Sequence, residues 1–171
     1  MQMSTPSVSI RRFARSDLAA ALIMQSQIYP AFLVEDEVSF ASHIDLPSSY
    51  CLVASVGGQV AGYLLAHGWP RNSPPQLGTP LIETEPAEIL YIHDLAVAPA
   101  CRGHGVGQRL VGCAFDLAIS DGLTSAELVA VEGAASFWQA MGFAGLDTTP
   151  AIEIKLASYG RGANWMGRGI G

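Results

Sequence analysis

The chain has 171 residues, half of them apolar and 14% charged, which fits one folded domain and excludes a disordered chain. Its net charge of −6 excludes the basic surface that nonspecific nucleic-acid binding needs, and is mildly compatible with a cationic substrate such as an amine. Three cysteines, Cys51, Cys101 and Cys113, none in a C-x-x-C, imply neither a disulfide framework nor a zinc site, and a reducing cytoplasmic compartment is expected. The opening M-Q-M-S-T-P-S-V has no basic start followed by an apolar core, so no signal peptide is expected. No apolar run reaches the ~18 residues of a membrane span, so no membrane partner is expected.

Residues 7–13 alternate at Val8 and Ile10 and read as a first strand. Ser16 or Asp17 is suited to cap a helix through Leu18 to Ile28, which Pro30 ends. Residues 34–46 carry Glu35, Asp36 and Glu37 on a weak helical pattern. Tyr50 to Val56 and Gln59 to His67 read as strands joined by Gly57-Gly58, a pair suited to a tight hairpin. Residues 69–87 hold five prolines and little periodicity, and read as a long surface loop, either part of a substrate lid or a plain insertion. Residues 88–97 are a central strand. Residues 107–121 are an amphipathic helix with Leu110, Val111, Ala114, Leu117 and Ala118 inward and Gly122 as its stop. A strand at 124–131 and a short helix at 133–141 follow. Ile152, Ile154 and Leu156 alternate and read as a last strand. The tail 158–171, with five glycines and Trp165-Met166, reads as frayed or as docked on a partner subunit of a homodimer. A single domain over 1–171 is expected, with its core at about 8–156 and a tail from 157.

The stretch that organises the rest is 89–109, a strand running into a helix through a turn with glycine at 103, 105 and 107. Glycine lets backbone N–H groups approach an anion, and a helix N-terminus adds unpaired N–H groups and the positive end of its dipole. Arg102 and Arg109 bracket the turn with positive charge. There is no G-K-[ST], so this is no P-loop, and the third glycine of a dinucleotide fingerprint falls on Gln108. Such a turn can also be only a tight turn.

The spacing R-x-x-G-x-G, at Arg102, Gly105 and Gly107, resembles the acyl-CoA-binding signature of the GNAT superfamily N-acetyltransferases. A second stretch, V-E-G-A-A-S-F-W-Q-A-M-G-F at 131–143, resembles that family's N-x-x-A-x-x-F-Y-x-x-x-G-F at Ala134, Phe137, Gly142 and Phe143. It departs at Val131, where Asn is frequent, and at Trp138, where a Tyr often protonates the departing thiolate. An indole N–H cannot do this, so Trp138 lines the acyl pocket or packs in the core.

The resemblance covers about 8–156. It implies an α/β fold, a central mixed, mostly antiparallel twisted sheet flanked by helices and splayed between its fourth and fifth strands. It implies acetyl-CoA as co-substrate, with the backbone of Leu95, Ala96 and Val97 along the pantetheine arm. Arg102, Gly103, His104, Gly105, Val106, Gly107 and Gln108 would surround the pyrophosphate. The expected reaction is direct acetyl transfer to a primary amine, on a small molecule or a peptide, in a ternary complex without an acyl-enzyme. The acceptor site would come from 28–46 and the 69–87 loop. Two other readings stay open: a non-catalytic module that senses acyl-CoA, and an interaction protein whose Gly turn is only structural.

Amine transfer needs a base. His93 on the central strand titrates near neutral pH and suits that duty, directly or through a water, although a half-buried structural histidine is the plainer reading. Period two puts Tyr91, His93, Leu95 and Val97 on one face and Ile92, Asp94 and Ala96 on the other. Asp94 orients His93 only if a bulge brings the two together, and Tyr91 is a further candidate for proton relay. Glu35, Asp36 and Glu37 read as a solvated helix start in preference to an amine-attracting cluster. His43 and His67 belong to no constellation, and with no His/Cys/Asp cluster at ligand spacing no metal is expected.

Overall fold

The computed structural model describes residues 7–171; residues 1–6, most of the opening stretch read above for a signal peptide, lie outside the described residues. Seven strands form one sheet in the order β1-β2-β3-β4-β5-β7-β6. They are β1 (Val8–Arg12), β2 (Leu52–Val56), β3 (Gln59–Trp69), β4 (Ile89–Val97), β5 (Ser125–Ala130), β6 (Ala144–Gly145) and β7 (Asn164–Gly169). Helices α1 (Leu18–Ile28), α2 (Glu37–Asp45), α3 (Val106–Ser120), α4 (Ala135–Ala140) and α5 (Pro150–Ala157) flank it. All neighbouring strands are antiparallel except β4 and β5. The expected mixed, mostly antiparallel sheet is what the chain forms.

Each face of the sheet is covered because each strand alternates. Leu52, Ala54, Leu64, Ala66, Leu90 and Ile92 meet the apolar face of α3, where Val106, Leu110, Val111, Ala114 and Ala118 are buried. The opposite face packs Val53, Tyr63 and Leu65 on α1 and α2, and Tyr91, Val129 and Trp165 on α5. The β2–β3 hairpin turns on Gly57 and Gly58, both at positive φ (59° and 79°), as a two-residue turn of the primed kind requires.

Two features position the site. First, β4 and β5 pair only over Leu90–Ile92 and Ala126–Leu128. Beyond Ile92, β4 keeps β3 as a partner on one side but has no strand on the other. The sheet is therefore split, and an edge of backbone from His93 to Val97 faces the split. Second, the β3–β4 register shifts: Leu65 pairs Asp94 and Ala66 pairs Ile92, leaving His93 as the extra residue of a β-bulge. The bulge corrects the period-two assignment. Tyr91, His93, Asp94 and Ala96 look toward the α1–α2–α5 side, and Ile92, Leu95 and Val97 toward α3.

The C-terminal part differs from the sequence reading. Ile152 to Leu156 is not a strand but the body of α5, and the tail is not frayed but contributes β7, paired with both β5 and β6. Thr149 Oγ1 accepts the Ile152 N–H (3.2 Å), and Pro150 occupies the first helical position, a start signal that outweighs three alternating residues. Ile152 and Leu156, one turn apart, are buried, while Ile154 between them is exposed. Asp17 begins α1 as expected but does not cap it: its carboxylate takes Arg11 (2.6 Å) and the Ala14 N–H (2.8 Å).

Candidate active site

The split between β4 and β5 is a cavity of about 530 Å³, with the Gly turn toward one end and a cluster of histidine and carboxylate at the other. The turn leads into α3, whose first backbone bond runs from the Arg109 N–H to the Gly105 carbonyl (3.0 Å). The N–H groups of Val106, Gly107 and Gln108 precede that bond and have no carbonyl within the helix. Gly103 and Gly105 hold φ of 82° and 74°, and a Cβ at either would meet no atom; backbone conformation, not space, demands glycine there. Gly103 and His104 are exposed. Arg102 lines the cavity and donates from Nε to the Val97 carbonyl (3.3 Å). Arg109, read as a second flank of positive charge, instead reaches the Val8 carbonyl (3.2 Å). The donors, the dipole and the missing Cβ atoms suit a diphosphate. The free β4 edge suits an extended amide-bearing arm, with the Leu95 carbonyl already met by the Tyr29 hydroxyl (2.8 Å).

At the other end, the bulge turns His93 toward the loop between α1 and α2. Its Nε2 is hydrogen-bonded to Glu35 Oε1. Glu35 is therefore not part of a solvated helix start: it is 7% exposed, while Asp36 is the exposed N-cap of α2 and Glu37 is exposed. The Gln25 side chain fixes the Glu35 backbone from α1, donating to its carbonyl (2.7 Å) and accepting its N–H (3.2 Å). The Gly78 N–H donates to Glu35 Oε2 (3.1 Å). His43, on the buried face of α2, stacks on His93 with ring centres 3.9 Å apart and lies 4.0 Å from Glu35. His67 stands 5.3 Å behind His43. The two histidines read as unattached thus extend one cluster. No sequence spacing announces it, because Glu35 and His93 are 58 residues apart.

The electrostatics follow from the packing. Burial disfavours the charge on Glu35, but the charge and hydrogen bonds of His93 and His43 outweigh it and hold the carboxyl well below its usual range. Burial likewise pushes His93 down, and the Glu35 charge and hydrogen bond more than reverse this, raising it. Burial, then the charge of His93, lowers His43 to about 4, so it stacks as a neutral ring. Glu35 thus takes Nε2–H, and Nδ1 of His93, itself buried, has no hydrogen-bond partner among the described residues.

The other two residues chosen from sequence stand differently. Asp94 shares a face with His93 but does not orient it: the hydroxyls of Tyr29 and Tyr63 donate to its two oxygens (2.6 Å each). Burial raises its pKa against those bonds. Tyr91 is buried behind the site, its hydroxyl 3.4 Å from that of Tyr159, and only Tyr159 lines the cavity. Trp138 does both things proposed for it, lining the cavity and packing edge-on against Phe137 and Phe143.

Glu35, His43 and His93 bring three donor atoms within 4.8 Å of one another, a grouping the sequence reading missed. A tetrahedral ion ~2.1 Å from each imidazole nitrogen would hold the ring centres roughly 5 Å apart. Stacked at 3.9 Å, the rings stand closer together than such an ion would hold them. Among the described residues no helix is long and apolar enough to cross a membrane.

Solved structures share this architecture. Ard1 from Thermoplasma volcanium is 20% identical with a TM-score of 0.69, covering 95% of this chain and 97% of that one. The ribosomal-protein-S18-alanine N-acetyltransferase from Escherichia coli is 17% identical (TM-score 0.67; 96% and 94%). The PaiA N-acetyltransferase from Thermoplasma acidophilum, in complex with coenzyme A, is 16% identical (TM-score 0.65; 95% and 99%). At such identities they establish the fold. No curated protein matches the sequence significantly. The family model for "Acetyltransferase (GNAT) family" matches residues 18–143, across the cavity, the Gly turn and both sequence signatures, and the chain belongs to that family.

Proposed function

We propose that the chain transfers an acetyl group from acetyl-CoA to a primary amine by direct attack within a ternary complex, with His93 as the base. The observation that carries this reading is the His93–Glu35 pair at the far end of the cavity from the anion-binding turn. In the reaction the amine nitrogen bonds to the thioester carbon. The carbon–sulfur bond breaks, its electron pair leaves on sulfur, and the amine proton passes to the His93 imidazole through a water. The Glu35 carboxylate holds the ring and stabilises its cation, which makes Glu35 a positioning residue. The coenzyme would lie with its pantetheine along Leu95, Ala96 and Val97. Its pyrophosphate would meet the amides from Gly103 to Gln108, with Arg102 beside it and His104 at the rim.

The cavity phenols, Tyr29 and Tyr159, are engaged with Asp94 and with the Pro75 carbonyl, so neither replaces the missing acid at Trp138. A thiol ionises near ~8.5, so its thiolate leaves tolerably without one. No cysteine lines the cavity, which favours direct attack over an acyl-enzyme. The test is amine-dependent thiol release from acetyl-CoA by wild type and His93→Ala, beside calorimetric binding of acetyl-CoA. Release that falls at least 100-fold in the variant, with coenzyme binding kept, supports the reading. Binding without release for any amine would instead make the domain an acyl-CoA sensor.

A further inference from the structure

Resting on the transferase reading, we infer the acceptor's class: a small primary amine with an apolar body and no anionic group beside its nitrogen. An amino acid and the N-terminus of a protein are excluded by the same site. The argument starts from charge. Beyond His93, the charged side chains lining the cavity are Glu35, Asp94 and Arg102. Arg102 is tied at Nε to the Val97 carbonyl (3.3 Å), toward the Gly turn, whereas Glu35 is hydrogen-bonded to His93 and Asp94 is its neighbour in the strand. The charges in contact with the base or next to it are carboxylates, Glu35 and Asp94. An alkylammonium is drawn to Glu35, whereas a carboxylate on the carbon next to the amine would be brought up against Glu35 and Asp94.

Shape gives the second half. The walls near His93 are Ile28, Leu33, Leu77 and Tyr159, which suit an apolar body. The 69–87 loop closes over this end. Pro75 O accepts from the Tyr159 hydroxyl (2.7 Å), and Leu77 N–H donates to Ser158 Oγ (3.1 Å). Gly78 is gripped on both sides: its N–H donates to Glu35 (3.1 Å), and its carbonyl accepts from Ser39 Oγ (3.0 Å). The exposed ring of Phe32 would lie 2.7 Å from a Cβ built on Gly160, so the α1–α2 loop touches the turn after α5. A polypeptide running on from its own N-terminus would have to break these ties, one of which holds Glu35 itself; a small amine need not. The 69–87 segment, open from sequence between part of a lid and a plain insertion, is on this inference a fixed wall that measures the acceptor.

The experiment is a matched panel, kcat/KM by thiol release for 2-phenylethylamine, hexylamine, spermidine, L-phenylalaninamide, L-phenylalanine and an amidated tetrapeptide beginning with Phe. The two apolar amines are expected to exceed L-phenylalanine at least 100-fold and spermidine at least tenfold. The tetrapeptide is expected at least tenfold below L-phenylalaninamide. Leu77→Arg, its fold checked by melting temperature, is expected to narrow the gap between 2-phenylethylamine and L-phenylalanine at least tenfold. L-Phenylalanine or the tetrapeptide within tenfold of 2-phenylethylamine, or spermidine as the best acceptor, overturns the assignment of class while leaving the transferase standing. No release with any member, despite acetyl-CoA binding, overturns the transferase reading and the class together.

Discussion

Glu35→Gln isolates the pair at the centre of the site. The glutamine keeps the shape and a hydrogen bond to His93 but removes the charge. The two groups are in hydrogen-bond contact, so their charge centres stand ~4 Å apart; at an effective dielectric constant of ~20 this is an upper bound of ~4 kcal/mol. Water in the cavity and the retained hydrogen bond reduce this, and the His93 pKa is expected to fall because the charge that raises it is gone. In wild type Glu35 raises His93 above 6.5, so kcat/KM climbs to its plateau above that pH. In the variant the climb moves to lower pH, and the plateau drops because the base is weaker. The assay is kcat/KM for thiol release from pH 5 to 9, with one amine for both proteins so that the amine's own titration cancels. A climb that stays where it was, or moves to higher pH, refutes His93 as the titrating base.

Stability should report the same pair. Glu35, lowered in the fold, contributes above its ordinary 4.5 and loses this as pH falls through its folded value; His93, raised, contributes below 6.5 and loses this as pH rises through its own. The advantage of wild type over Glu35→Gln in urea melts should therefore be widest from about pH 4.5 to 6.5. Gly105→Glu puts a side chain at φ 74° and a negative charge on the anion site, so calorimetry should find acetyl-CoA affinity at least tenfold lower with the far-ultraviolet spectrum unchanged. Trp138→Tyr should leave kcat at pH 8 within threefold of wild type; a tenfold gain would mean that thiolate departure, not amine deprotonation, limits the rate. Thr149→Ala removes the N-cap of α5 and should cost ~1 kcal/mol by chemical denaturation.

What was legible in the sequence was local. The Gly57-Gly58 hairpin, the strand into the Gly turn, and the stripe on α3 are each written within a dozen residues, where turn chemistry and periodicity act directly. The Gly turn at one end of the cavity was legible for the same reason. The histidine–carboxylate cluster at the other end was not. Its parts come from α2, the loop before it and β4, and a single inserted residue in β4 turns His93 and Asp94 to the same side, defeating any count by twos. Glu35 hid among two neighbours that really are a solvated helix start. The error at α5 was avoidable: Thr149-Pro150 is a helix-start signal, and three alternating residues are too few to contradict it.

The placement of β7 has a consequence for how the chain comes together. This strand is made after every other one, yet it lies between β5 and β6 rather than at an edge of the sheet. Until residues 164–169 are available, the far side of β5 has no neighbour, and the two-residue β6 has nothing to pair with. The slot closes with Leu128 against Met166 and Val129 against Trp165, contacts of long sequence separation that slow a folding step. On a ribosome the half of the sheet with β1 to β4 can assemble early, while the wall of the cavity built by β5 waits for the polymerisation of the last strand. A chain released short of Asn164 would carry the anion-binding turn intact and still present β5 as an open, aggregation-prone edge.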